Sequence, residues 1–322
     1  MQRHYGLSRR RKRLLRSAVF ALLRFSGLPF ILREIVQCNK ITILVYHAMP
    51  APVAERHFRA LSARYNIISL SAYLAWKKNM PALSLPPKSI IITFDDGHKA
   101  NYELKPLLEK HRVPVTIFLC SGIVGTQAHY WWSHVKNPAE ARALKAVPDE
   151  QRAQVMLERG HFDTKEYETR EALSWDEITE MKSLVDFQSH GVFHPILPAC
   201  SDERARSEVF ESKKTLEQRC GLKICALAYP NGDYSDREIS LLRSSDYTCG
   251  LTLDPGFNDS ATDSFCLRRI PLPDDAGISE LIVKASGLWS SLQSLWRLLG
   301  LRHDAEGGRM DRKPETPSAR CG

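Results

Sequence analysis

At 322 residues, with 43% hydrophobic and 25% charged side chains, the chain has the composition of a folded globular protein, with room for one domain of about 200–250 residues and appendages. Its net charge of +8 sits at one end: residues 1–40 hold ten Lys and Arg against the single acid Glu34, and the remainder carries 35 basic and 36 acidic side chains. That distribution argues against nucleic acid as a partner of the body of the protein. The eight cysteines are scattered without a Cys-x-x-Cys pair, which argues against a disulfide framework or a zinc knuckle. They read as buried free thiols of a reducing compartment, so a cytoplasmic protein is expected.

In chain order, residues 1–38 come first, basic at the start and rich in Leu, Phe, Ala and Ile over 14–32. Arg16 and Arg24 interrupt the apolar stretch, and its longest charge-free run, 25–32, is far short of the roughly 20 residues a spanning helix requires. A secretory signal would need a cleaner apolar segment and a small-residue cleavage site. The segment reads as a basic amphipathic element on an anionic membrane surface, with a disordered basic arm followed by an ordinary helix as the equal alternative.

From residue 41, β-rich runs alternate with helical periodicity. Strands are expected at 41–46, 67–70, 90–94, 113–119, 184–188, 224–229, 247–253 and 266–270. Helices are expected at 54–65, 71–79 (capped by Ser71), 101–111, 175–183, 203–219 and 235–243. Strict alternation argues for parallel pairing and a closed or nearly closed α/β barrel, which places chemistry at the C-terminal ends of strands. His47, the Asp95-Asp96 pair, His190 and Pro230 each follow an expected strand. Residues 126–173 break the rhythm with Tyr130-Trp131-Trp132 and a charged helical stretch, a helical insertion that forms either a lid or a surface embellishment. Over 281–301, Leu288, Leu292, Leu295 and Leu299 share one helical face, which either packs on the barrel or lies at a membrane interface. The layout is thus a basic segment (1–38), an α/β domain (39–275), an amphipathic helix (276–301) and a disordered polar tail (302–322).

The chemistry concentrates in Thr93-Phe94-Asp95-Asp96-Gly97 and in His190 and His194. Asp and two His are good zinc ligands that leave a fourth position for water or substrate, and a spare carboxylate can take that water's proton. Each piece alone is weak. Asp-Gly is a common hairpin turn, and histidines four apart often decorate a helix. Pro195 limits any helix there, so a tight turn should bring the two imidazoles together.

Taken in order, that pentapeptide, Ser189-His190-Gly191-Val192-Phe193-His194-Pro195 and Ala228-Tyr229-Pro230-Asn231-Gly232 resemble the motifs of the polysaccharide deacetylase family, the NodB-homology or carbohydrate esterase 4 group, across residues 41–270. The resemblance implies a distorted (β/α) barrel that removes N- or O-acetyl groups from sugars through a divalent metal, usually zinc. By position it implies Asp95 as general base, Asp96, His190 and His194 as metal ligands, and the Asn231 backbone N–H as an oxyanion donor. There are three departures. Gly191 stands where the family has Ser or Thr. Ala228 stands where an arginine orients the base, a role left to Arg268 or Arg269. No Leu-x-His occurs within residues 41–270, the stretch that carries the resemblance, and Tyr46-His47 resembles a subgroup with rearranged motifs, which makes His47 the expected general acid.

The expected function is metal-dependent de-N-acetylation of an acetylated amino-sugar glycan. A deformylase or deacetylase of a lipid-linked amino sugar is the alternative that the basic N-terminus suggests. A non-catalytic glycan-binding barrel is the alternative that Ala228 suggests, against which the retained Asp95 and metal ligands speak. His98 reads as a helix N-terminal residue, and Trp131 and Trp132 as either sugar platforms or core. Histidines 4, 57, 111, 129, 134, 161 and 303 have no partner motif.

Overall fold

Unbroken runs of Ile, Val, Leu and Phe form strands that are buried on both faces, as parallel sheets flanked by helices require. The computed structural model describes residues 2–80 and 82–299, so the tail expected over 302–322 lies outside the described residues. The strands are β1 (Thr42–Tyr46), β2 (Asn66–Ile67), β3 (Ser89–Phe94), β4 (Val115–Leu119), β5 (Val185–Ser189), β6 (Ala226–Ala228), β7 (Cys249–Leu251) and β8 (Ile270–Pro271). They pair in the order β7-β6-β5-β4-β3-β1-β8, with β2 on β3 off that path, and every pair is parallel.

The two edges of this sheet are drawn together. Leu267 bridges in parallel to Leu251 of β7, its N–H donating to the Gly250 carbonyl at 2.9 Å while the Thr252 N–H donates back at 2.8 Å. Three residues later the same segment pairs with β1 as β8. The sheet therefore curls into the distorted barrel expected from the alternation. The expected strand at 266–270 appears in altered form. Ser264–Cys266 is a 3-10 turn, and the chain then steps from the edge of β7 to the edge of β1.

Side chains two apart along a strand share a face. Leu44, Tyr46, Ile92 and Phe94 pack in the large core cluster between sheet and helices, whereas Ile43, Ile91, Phe118, Ala228 and Leu251 form the smaller cluster on the other face of the sheet. Continuing the alternation from Ile91 through Thr93 puts Asp95 on that second face, at the C-terminal end of β3.

Three further expectations are corrected. The first is a cap: Ser69, not Ser71, caps its helix (Leu70–Lys78), accepting from the Ala72 N–H at 3.1 Å. The single helix expected over 281–301 is two helices, Ile278–Ala285 and Leu288–Leu298, with Gly287 at φ 76° between them. The helix expected over 101–111 begins as a 3-10 turn, Lys99–Leu104, before the α-helix Lys105–His111. Other expected elements appear with ends moved by one to three residues. The insertion holds the 3-10 turn Trp131–His134 and helices Pro138–Lys145 and Asp149–Glu158. Cys38, Cys120, Cys200, Cys220, Cys225 and Cys249 are free thiols, as expected, while Cys266 does not belong to that free set.

Near the N-terminus, the helix Gln2–Phe25 packs on Ile278–Ala285. Phe20 is buried with Val283 and Leu288, and Arg16 pairs with Glu280 at 2.7 Å. The outward side chains of this N-terminal helix are unusual: Leu15, Leu22 and Phe25 are each 68–78% exposed. No described helix is long and apolar enough to cross a membrane.

Candidate active site

At the C-terminal ends of β3, β5 and β6 the chain turns through left-handed backbone at three of the residues singled out from sequence. Asp96 has φ 73°, His194 φ 58° and Asn231 φ 58°. Such conformations cost roughly 1–3 kcal/mol each and persist where surrounding contacts over-determine them. Tyr130 of the insertion supplies one such contact, its hydroxyl donating to the Asp96 carbonyl at 2.7 Å. Glu208, on helix Asp202–Cys220, supplies others: one carboxylate oxygen accepts from the N–H groups of Val192 and Phe193 at 2.6 and 3.0 Å. Burial pushes Glu208 up to about 7, against the pull of Arg204 and of those two N–H groups. Gly191, the departure from the family motif, has φ 83°, and a Cβ there would lie 3.0 Å from the same carboxylate. Glycine is the residue this turn accepts.

The turn brings both imidazoles onto one carboxylate. His190 Nε2 and His194 Nε2 lie 3.5 and 3.6 Å from Asp96 Oδ1, and the rings meet edge to face with centroids 4.6 Å apart. Ligand atoms of the three side chains all fall within 4.8 Å of one another, the one such group of three among the described residues. His190 Nδ1 is 2.7 Å from the Ala228 carbonyl, which makes Nδ1 the donor and leaves the Nε2 lone pair facing Asp96. Asp96 Oδ1 is buried with no hydrogen-bond partner among the described residues. A buried, unpaired carboxylate oxygen between two imidazole nitrogens fits a divalent cation, and the Asp-His-His donor set fits zinc.

Burial opposes charge at Asp96, yet the neighbouring histidines hold its carboxyl well below the ordinary range. Burial and then the charge of His190 push His194 down to about 3, which keeps that ring neutral. Burial also disfavours charge on His190, but Asp95 and Asp96 outweigh it and raise its pKa.

Asp95 occupies a different environment. It is buried, and Arg269, fully buried between β7 and β1, grips it with two parallel hydrogen bonds of 2.7 and 2.8 Å. Arg269 also donates from Nε to the Thr252 carbonyl at 2.9 Å and lies over the Phe118 ring. Of the two arginines considered from sequence, Arg269 fills the place left by Ala228. Burial works against the Asp95 charge, but Arg269 and then His190 hold the carboxyl below the usual carboxylate range. Asp95 Oδ2 lies 3.8 Å from His190 Nε2. One carboxylate is thus committed to an arginine and the other to the imidazoles.

His47 follows β1 on the same rim. Asp274 receives the N–H groups of His47 and Ala48 at 3.0 Å each, and Asn101 donates to the His47 carbonyl at 2.7 Å. The His47 side chain acts electrostatically on both Asp95 and Asp96. Asn231 lies in the 3-10 turn Pro230–Gly232 that directly follows β6 and Tyr229. His98 caps the turn Lys99–Leu104, the helix N-terminal role expected for it.

Sequence reasoning missed what the insertion contributes. Trp131 is buried with Leu144 and Met156, whereas Trp132 sets its edge against the His194 ring with centroids 4.6 Å apart. Lys145, which ends the helix Pro138–Lys145, donates to Asn231 Oδ1 at 2.6 Å. Three histidines without a motif, His129, His134 and His161, stack around Tyr167. No spacing signal marks any of these.

Comparison with known proteins adds the following. A family model described as Polysaccharide deacetylase matches residues 82–250, just over half of the chain. YxkH of Bacillus subtilis (strain 168), named as a polysaccharide deacetylase, is 21% identical over 247 residues, which span 72% of this chain and 71% of that protein. Among solved structures, the Streptococcus pyogenes deacetylase PplD in complex with acetate aligns with a TM-score of 0.58 at 20% identity, over 77% of this chain and 99% of PplD. IcaB from Ammonifex degensii aligns with a TM-score of 0.58 at 18% identity, over 78% of this chain and 98% of IcaB. Both likenesses are of fold.

Proposed function

Since the chain belongs to the polysaccharide deacetylase family, we propose that it removes N-acetyl groups from the amino sugars of a glycan, with a divalent metal ion, zinc foremost, held by Asp96, His190 and His194. The observation that carries this is the division of labour between adjacent carboxylates, Asp95 held by Arg269 and Asp96 held among imidazoles. A cation bound there supplies Lewis acidity for the amide carbonyl and for water. Asp95, kept ionised by Arg269, takes the proton of the attacking water. The Asn231 N–H faces the oxygen on which negative charge develops, an interaction worth roughly 3–4 kcal/mol in comparable sites. His47 protonates the departing nitrogen, which is too basic to leave as an anion. Trp132 packs against the His194 ring, with centroids 4.6 Å apart.

The test is product analysis on the purified full-length protein against acetylated and formylated amino sugars. Acetate release that stops on chelation and returns with zinc is the expected result. Formate release alone would transfer the activity to deformylation, and turnover indifferent to chelation would remove the metal from the mechanism.

The outward side chains of the N-terminal segment favour a second, compatible element, a membrane-proximal substrate such as a lipid-linked amino sugar. Leu22 and Phe25 are 76% and 78% exposed, on a helix that carries eight of the ten basic residues of 1–40. Exposed apolar surface of this kind beside basic residues suits an anionic bilayer, where each Lys or Arg near the surface contributes about 1 kcal/mol. The protein should therefore bind vesicles containing phosphatidylserine at low salt and release at high salt. Leu22→Glu/Phe25→Glu should abolish binding without the fold damage that deleting Phe20 would bring. Equal binding to neutral vesicles, or no binding at all, would defeat this element while leaving the hydrolytic one intact.

A further inference from the structure

Lys145 belongs to the insertion, yet its ammonium reaches the barrel. Nζ donates to Asn231 Oδ1 at 2.6 Å, and Asn231 Nδ2 donates in turn to Asp233 Oδ2 at 2.5 Å. The Asn231 side-chain amide is thereby held at both ends, oxygen by a cation and nitrogen by a carboxylate. Its backbone sits at φ 58°, ψ 4°, a left-handed conformation that asparagine tolerates better than most residues but does not prefer. The direction of a backbone N–H follows from the backbone torsions around it, so whatever holds this side chain also holds the N–H.

Lys145 is also placed within the field of the site. It is half-buried, its charge acts on His194, and the charges of Asp233 and then Asp96 act on it. A lysine at a helix C-terminus ordinarily extends into water, favoured by the helix dipole. Here burial disfavours its charge and lowers its pKa, and the hydrogen bond it makes is to a neutral amide oxygen, not to a solvent-exposed acid.

We propose that Lys145 is a positioning residue: it clamps the side chain of Asn231 and thereby fixes the oxyanion-facing N–H, so that the insertion helix completes the catalytic rim of the barrel. The clamp rests on the de-N-acetylase function proposed above. It predicts that the insertion affects the chemical step through Asn231, not through substrate affinity.

The experiment is a double-mutant cycle on the zinc-loaded full-length protein. Lys145→Met should lower kcat about 10–100-fold, the scale expected when a catalytic group is misplaced, with KM within about twofold and zinc affinity unchanged. Lys145→Arg, which retains a cationic donor for Asn231 Oδ1, should recover most of the loss. In an Asn231→Ala background, where there is no side chain to clamp, Lys145→Met should change kcat by less than about twofold. A separate readout needs no turnover. The Asn231 side-chain amide signal in NMR should be slow to exchange in the parent protein and fast in Lys145→Met. Full additivity in the cycle, an effect confined to KM, or an unchanged Asn231 signal would each overturn the clamp. Absence of acetate release by the parent protein, with the NMR effect present, would overturn the assigned reaction and leave the clamp standing.

Discussion

Asp95→Asn should retain zinc and lose about 10²–10⁴-fold in turnover, the range that removal of a positioned general base commands. The amide is nearly isosteric with the carboxylate but cannot accept a proton at neutral pH. The residues proposed as metal ligands are a separate set, with Asp96 Oδ1 lying between the two imidazole Nε2 atoms, so metal content and activity should dissociate in this variant. The substitution also leaves Arg269 buried without its counter-ion. A lower melting temperature should accompany the loss, and turnover must be measured where the variant is still folded. His47→Gln makes a contrasting companion. If His47 serves to protonate the leaving amine, its loss should matter for amide substrates and much less for an activated aryl acetate, whose leaving group departs unassisted. Asp95→Asn should impair both substrates. Near-parental amide turnover in Asp95→Asn would end its assignment as base, and equal losses on both substrates in His47→Gln would end its assignment as acid.

The strands that position these groups were legible in sequence because each is a short apolar run buried on both faces, β1, β3 and β4 above all. The candidate group Asp96, His190 and His194 was legible because two motifs occur in order, each at the end of an expected strand. What was not legible depends on how distant segments approach. Arg269 had an alternative in Arg268 until the path from β7 to β1 showed which of the two lies inside the barrel. Lys145 and Trp132 reach the rim through an insertion whose helical pattern carries no instruction about where its ends point. The turn at Gly287, with φ 76°, was missed because the leucines that define the helical face, Leu288 to Leu299, all follow it and say nothing about residues 281–287. Gly191 looked like a departure from a motif, and φ 83° beside Glu208 shows it to be a steric requirement of the loop that presents both histidines. Local pattern identifies elements and residue types; closure of the barrel decides which side chains share a pocket.

Arg269→Met should be the most damaging single substitution in the barrel. The methionine preserves much of the side-chain volume over Phe118 but removes the two hydrogen bonds to Asp95 and the one to the Thr252 carbonyl. Breaking one side of a buried ion pair costs about 3–5 kcal/mol, because the surviving charge has neither water nor partner. The pH dependence identifies the cause. In the parent protein the Asp95 pKa lies below its unfolded value, mainly because Arg269 and His190 outweigh burial. That pairing contributes stability at pH values above the unfolded pKa of about 3.9, and the contribution is lost as pH falls through the lower, folded pKa. Without Arg269, burial acts on a less well compensated carboxylate and its folded pKa rises. The destabilisation caused by Arg269→Met should therefore be larger at pH 7 than at pH 4, and the acidic limb of kcat/KM should move to higher pH as Asp95 is protonated over a wider range. Arg269→Lys should fall between the two, since an ammonium keeps the charge but cannot form the two-pronged contact. Denaturant unfolding at the two pH values, with a pH–rate profile, measures both effects. A pH-independent loss of stability with an unmoved acidic limb would mean that Arg269 merely fills space, and that Asp95 owes its ionisation to the histidines and the metal alone.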